Sequence, residues 1–253
     1  MKTPVLNLLY IEDDIIDQTY FSRLLEHVPS CVCKIVASVA VAKKVLATQT
    51  FDIIITDNML GDGTAADILP FINGTPTILV TGTNDKQVLV NAYDLGVNAH
   101  IIKPIMLLTL VEQLENISQQ KITIEAAKTI NKKAPSYSFI NLSFITESTN
   151  NDTDFVIEMI NMYLEQCDDF LNEIQTSFLE KNWANLHKIA HRFKSSLNVI
   201  GAEQMRQLSE KIEINAKLQE NPQLINKAIQ QLSMFNNMAV QELHKAIKDM
   251  RQQ

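Results

Sequence analysis

Over the first 117 residues, short apolar runs rich in β-branched side chains alternate with amphipathic stretches, the pattern of an α/β parallel sheet. The runs at 5–11, 33–36, 53–56, 77–80 and 99–102 read as strands, and their composition suits strands buried on both faces. Between them, apolar spacing predicts helices near 15–27, 39–47, 64–71, 86–95 and 106–116. Five such β/α units make a doubly wound, five-stranded parallel sheet, which binds ligands at the carboxyl ends of its strands.

The pattern changes in the second half. From about Asp154 onward, apolar residues recur at helical spacing, and breaks fall near Asn182, Gly201 and Asn221-Pro222. That predicts an all-α antiparallel bundle of four long helices, with a short leading helix near 139–145 capping one end. The polar, Lys-rich segment 118–137 joins the halves, as a flexible tether or as a continuation of the preceding helix. The expected division is therefore 1–117, a joining segment 118–137, and 138–253.

Charge sharpens the contrast between the halves. The formal net charge is −7, and residues 1–117 hold seven Lys or Arg against thirteen Asp or Glu, so most of the acidity lies there. This balance argues against nucleic acid as a partner, because nucleic-acid binding is driven by clustered Lys and Arg. No apolar run reaches the roughly 18–20 residues needed to cross a bilayer, and Glu12, Asp13 and Asp14 interrupt any leader, so the chain is expected in the cytoplasm. Cys31, Cys33 and Cys167 are too scattered for a disulfide framework, and strand-edge cysteines are a better reading of the first two than metal ligands.

Candidate chemistry sits at the predicted strand ends. Glu12, Asp13 and Asp14 follow the first strand, Asp57 ends the third, Thr81 the fourth and Lys103 the fifth. Carboxylates gathered at one edge repel one another, and a hard divalent cation, Mg2+ or Mn2+, is the natural compensator. Asp57 could then attack phosphorus, with Lys103 neutralising phosphoryl oxygens and the Thr81 hydroxyl donating to another. Any one of these residues alone could be a loop cap or a surface group; their conjunction in chain order is the signal.

Four segments carry a resemblance: 8–14 (Leu-Leu-Tyr-Ile-Glu-Asp-Asp), 52–57 ending in Asp57, 79–82 (Leu-Val-Thr-Gly) and 100–104 (His-Ile-Ile-Lys-Pro). Over about residues 4–117 the sequence closely resembles the receiver domain of two-component response regulators. The resemblance implies Asp57 as phosphoacceptor, Asp13 as a direct metal ligand, Glu12 acting through water, and the Met59 backbone carbonyl facing the metal. It also implies Thr81 and Lys103 on the phosphoryl group and a cis Lys103–Pro104 peptide. Two positions depart from the family pattern. His100 stands where an aromatic switch residue usually follows the threonine, and Gly61 stands where proline is common, which predicts a looser loop.

In the helical half, Leu186, Ile189, Ala190, Phe193, Leu197 and Ile200 form one stripe, while His187, His191, Lys194 and Asn198 share another face. This predicts a solvent-facing His191 with Lys194 one turn away, near enough to steady a phosphoryl group on the ring. Ser195 and Ser196 are small enough to let a partner approach. By itself this is also the pattern of a surface histidine, and zinc at His187 and His191 would lack a third ligand. Residues 150–250 resemble a histidine-containing phosphotransfer (HPt) domain through His191, Lys194, Ser195, Ser196, Gly201 and Ala202, with serine at 195 where glycine is usual. The resemblance implies His191, not His187, as phosphoacceptor.

The expected function is that of a phosphorelay signalling protein. Asp57 would take phosphate in a Mg-dependent, self-catalysed reaction, and His191 would exchange it with a receiver aspartate of this chain or of another. The expected partners are a sensor histidine kinase, a separate receiver-domain protein, or both. No kinase ATP-binding domain and no DNA-binding module are expected. Two competing readings are a phosphate sink that hydrolyses the group at Asp57, and an interaction module whose acceptors carry no phosphate.

Overall fold

The computed structural model describes residues 5–82, 86–124, 137–149 and 151–252. The chain divides into two compact units, 1–127 and 128–253.

The first unit is built on a parallel sheet of β1 (Leu6–Ile11), β2 (Cys31–Val36), β3 (Ile53–Asp57), β4 (Thr77–Thr81) and β5 (Ala99–Ile102), in the order β2-β1-β3-β4-β5. Burial follows that order. Central β3 and β4 are buried along their whole length, whereas edge strand β2 is covered on one side only and leaves Val32 exposed. The expectation of burial on both faces therefore holds at the centre and fails at this edge, where one flank has no neighbouring strand.

Helices α1 (Ile15–Glu26), α2 (Val39–Leu46), α3 (Lys86–Asp94) and α4 (Leu107–Ser118) flank the sheet. Side-chain caps start the first two: Asp14 accepts from the Ile16 and Asp17 N–H groups, and Ser38 accepts from Val41. The helix expected over 64–71 is instead two 3-10 turns, Ala65–Asp67 and Leu69–Phe71. Pro70 explains the difference, since it brings no N–H and its ring would strike the carbonyl one turn earlier. α4 stops at Ser118, where Gln119 takes a left-handed conformation, so the helix does not continue through 119–124. The remainder of the expected joining segment, 125–136, lies outside the described residues.

The second unit is a four-helix bundle of α6 (Thr153–Leu179), α7 (Trp183–Val199), α8 (Glu203–Leu218) and α9 (Pro222–Arg251). Each helix packs on the next, and α6 closes the ring against α9. Their starts are written locally: Asp152 caps α6, Asn182 caps α7, and Pro222 opens α9. Inside, Phe193 stacks on Phe170 with centroids 5.1 Å apart, and the Tyr163 hydroxyl donates to Asn236 Oδ1 at 2.6 Å. The leading helix, α5 (Ser143–Ser148), begins four residues later than expected, because residues 137–142 run as irregular chain. That chain is held to the α7–α8 corner by the Asn141 N–H, which donates to the Ile200 carbonyl at 3.0 Å.

Gly201 makes this corner possible. Its φ is +63°, and a Cβ there would lie 2.1 Å from the Asn141 carbonyl oxygen. Gly201→Ala is expected to destabilise the bundle by about 2–4 kcal/mol, from strain and displacement of the leading segment. Denaturant unfolding followed by fluorescence of the single tryptophan, Trp183, measures it.

Candidate functional sites

Parallel register brings the ends of β1, β3, β4 and β5 to one edge: Ile11 pairs with Thr56, Asp57 with Val80, and Thr81 with Ile102. Asp57 and Thr81, the last residues of their strands, are buried there, and so is Glu12, one step beyond β1. Lys103 follows β5 by one residue, anchored by its N–H to the Thr81 carbonyl, and its peptide bond to Pro104 is cis.

The Lys103 ammonium organises the edge. It lies 2.7 Å from Glu12 Oε2, 2.7 Å from Asp57 Oδ2 and 2.6 Å from Asp17 Oδ2, with its side chain almost wholly covered. Burial alone would pull the Lys103 ammonium down, but the Asp17, Asp57 and Glu12 charges outweigh it and hold the group well above the ordinary lysine value. Glu12 goes the other way: burial pushes its carboxyl up, the Lys103 charge opposes, and the neighbouring Asp57 and Asp17 charges add to the rise. Burial, with the Asp17 charge, also raises the Asp14 carboxyl to about 7. Asp17 was missed in the sequence because an acid in the first turn of a helix normally reads as a solvated dipole partner.

The remaining expected residues fall around this centre. Asp13 is half-buried next to Gly61, where an added Cβ would sit 3.2 Å from Asp13 Oδ2. Met59 donates its N–H to Asp57 Oδ1 at 3.2 Å. The loop after Asp57 is not loose. Met59–Leu60 and Gly63–Thr64 form a small ribbon, and the Asp62 carboxylate accepts from the Val39 and Ala40 N–H groups at 2.8 and 3.0 Å. A carboxylate at the amino end of α2 supplies the restraint that glycine at 61 withholds. His100 is half-buried on β5, and its Nδ1 lies 2.7 Å from the Tyr93 hydroxyl of α3. Among the described residues no three His, Cys, Asp or Glu side chains form a closed metal cage. A hard cation that keeps its waters needs only one or two carboxylates and a phosphate.

In the bundle, the site differs from its expected form. The His191 side chain is only 16% exposed, because α8 lies over that face of α7. Its Nδ1 lies 2.7 Å from Glu213 Oε1, and the Lys194 ammonium lies 2.6 Å from Glu213 Oε2. Lys194 is itself buried, as are Ser195 and Ser196, so the two serines serve internal packing and not a partner's approach. A helix in a closed bundle has two packed flanks, and a reading in two faces, apolar and polar, overlooks the second. His187 Nδ1 lies 3.2 Å from the Glu213 backbone carbonyl, and burial lowers its pKa.

Glu213, which joins His191 and Lys194, is a residue of this cluster that the sequence reading missed. Burial would raise its carboxyl, but bonding to His191 and the charges of His191 and Lys194 bring it down to about 2. It is thus a carboxylate that only accepts, so His191 Nδ1 carries the hydrogen that faces it, and in the neutral ring the lone pair lies on Nε2. A depressed carboxyl stabilises the fold above its unfolded value of 4.5 and loses that contribution as pH falls from there toward 2. Glu213→Gln is therefore expected to cost roughly 1–3 kcal/mol at neutral pH and to flatten the acid limb of the stability profile. Denaturant unfolding of both proteins from neutral pH to about pH 3 measures the difference.

Comparison with known proteins places a family in each half of the chain. Residues 8–115 match the family model of the response regulator receiver domain, and residues 158–253 match that of the Hpt domain. No curated protein matches the chain. Among solved structures, a putative response regulator from Chloroflexus aurantiacus J-10-fl is 20% identical, covering 46% of this chain and 99% of its own, with a TM-score of 0.43. The receiver domain of a sensor histidine kinase from Pseudomonas aeruginosa PAO1, solved with magnesium in its active-site cleft, gives the same values. A CheY-like receiver domain protein from Methanospirillum hungatei JF-1 is 23% identical, covering 46% of this chain and 94% of its own, with a TM-score of 0.41. With a receiver domain in its first half and an Hpt domain in its second, the chain is a receiver–Hpt fusion, a phosphorelay signalling protein.

Proposed function

We propose that Asp57 and His191 are the two phosphoacceptors of this protein, within a receiver over 1–117 and a phosphotransfer bundle over 138–253 joined by 118–137. What carries the reading is a shared pattern: each acceptor is the reactive member of a buried ion-paired network containing one lysine.

At the first site, a carboxylate oxygen of Asp57 forms the new O–P bond as the bond from phosphorus to the donor's leaving group breaks. Lys103, already 2.7 Å from Asp57, turns a donor to a phosphoryl oxygen, and the Thr81 hydroxyl donates to another. The donor set of carboxylate oxygens facing one ammonium fits a hard divalent cation, Mg2+ or Mn2+, which Asp13, Asp57 and the Met59 carbonyl would hold, with Glu12 acting through water. Such a cation supplies charge neutralisation between Asp57 and the incoming phosphoryl group. Movement of Thr81 toward phosphate is passed on at His100, whose contact with Tyr93 ties β5 to α3.

At the second site, the Nε2 lone pair of His191 attacks phosphorus on a receiver aspartate, the N–P bond forms, and the aspartate leaves as carboxylate. Positive charge that develops on the ring is met by Glu213 at Nδ1. Lys194 balances Glu213, which reduces its repulsion of the approaching phosphoryl oxygens. The same reading gives the protein a sensor histidine kinase or a separate receiver-domain protein as partner and places it in the cytoplasm. It favours relay over a hydrolysing sink or simple docking because both acceptors keep their ionic partners.

Incubation with Mg2+ and a small acyl-phosphate donor, read by intact mass, tests this. The wild-type chain is expected to gain phosphate on Asp57, Asp57→Asn to lose that label entirely, and chelation of the cation to abolish it. His191 labelling that requires Asp57 would establish transfer between the two. Label on Asp57 alone would assign His191 to a partner's receiver, and label on neither would overturn the reading.

A further inference from the structure

Lys103 has three N–H donors, and three carboxylates surround it within 2.7 Å: Glu12, Asp17 and Asp57. Two of these, Glu12 and Asp57, belong to the acceptor edge. Asp17 comes from elsewhere, the first turn of α1, where its N–H is bonded to the Asp14 cap and its charge lies at the positive end of the helix. Its side chain is only 13% exposed, and its 2.6 Å contact is as close as those of the other two. Asp17 is therefore a fixed third anion on the one ammonium that the phosphoryl group needs.

Phosphorylation raises the demand on that ammonium. It replaces a singly charged carboxylate by a group bearing close to two negative charges. The donor released by Asp57 turns to the phosphoryl oxygens, while Glu12 and Asp17 keep theirs. We propose that Asp17 is a positioning residue that competes with the phosphoryl group for Lys103, leaving the acyl phosphate under-neutralised and therefore readily passed on. This rests on the reading of Asp57 as acceptor. A purely structural Asp17 makes the opposite prediction: neutralising it would loosen Lys103 and weaken the site.

The test uses the full chain carrying His191→Gln, so that only Asp57 is read, at saturating Mg2+. Beryllofluoride, a non-covalent phosphoryl mimic, is titrated calorimetrically into this chain and into the same chain with Asp17→Asn or Asp17→Glu. Steady-state labelling by acetyl phosphate is measured alongside. Asp17→Asn is expected to bind beryllofluoride roughly threefold to tenfold more tightly and to carry more phosphate at steady state, while Asp17→Glu stays near the parent. Unchanged or weaker beryllofluoride binding in Asp17→Asn, with the parent binding and labelling normally, overturns the role of Asp17 alone. A parent chain that neither binds beryllofluoride nor labels overturns the acceptor reading and the Asp17 role with it.

Discussion

One ammonium holds the first unit's functional edge together. Four segments, the end of β1, the first turn of α1, the end of β3 and the residue after β5, are tied together by Lys103, which satisfies carboxylates from three of them. Burying that many acids without a counter-charge would drive them to take up protons, as the raised Glu12 and Asp14 carboxyls already indicate. The arrangement is strained electrostatically, and this suits it to chemistry. Carboxylates crowded around a single lysine suit the proposed role of Asp57, which rests on an edge of this charge.

The bundle solves the complementary problem with the signs exchanged. There one carboxylate, Glu213, serves two basic groups, His191 and Lys194, and is pulled far below its ordinary range by them. A receiver aspartate needs positive charge nearby to accept phosphate. A histidine needs a fixed tautomer and an acceptor for the charge its ring acquires. Each unit gives its proposed acceptor an ionic partner through a single residue delivered from another element.

The strand edge and the place of Asp57 on it were legible in the sequence because apolar β-branched runs stop abruptly at polar residues, and a parallel sheet places such stops together. Residues reached across elements were hidden. Asp17 reads as an ordinary first-turn acid until its contact with Lys103, the residue after β5, is seen. Glu213 lies 22 residues beyond His191 on a helix rich in exposed charge. A signal for it existed: His191 lies ten residues before Gly201 and Glu213 twelve after, so an antiparallel hairpin turning there sets them side by side. The helix expected over 64–71 failed for a local reason, Pro70, which weighed less in the apolar spacing than it does in the backbone.

The Asp62 contact with α2 has a further consequence for how the first unit answers a change at Asp57. The loop after the acceptor is stapled to a helix start by two charge-assisted hydrogen bonds and closed by its own ribbon. If Asp57 is the acceptor, as proposed, a displacement there meets a braced backing on the α2 side, while the proposed route through Thr81 and β5 leads to α3.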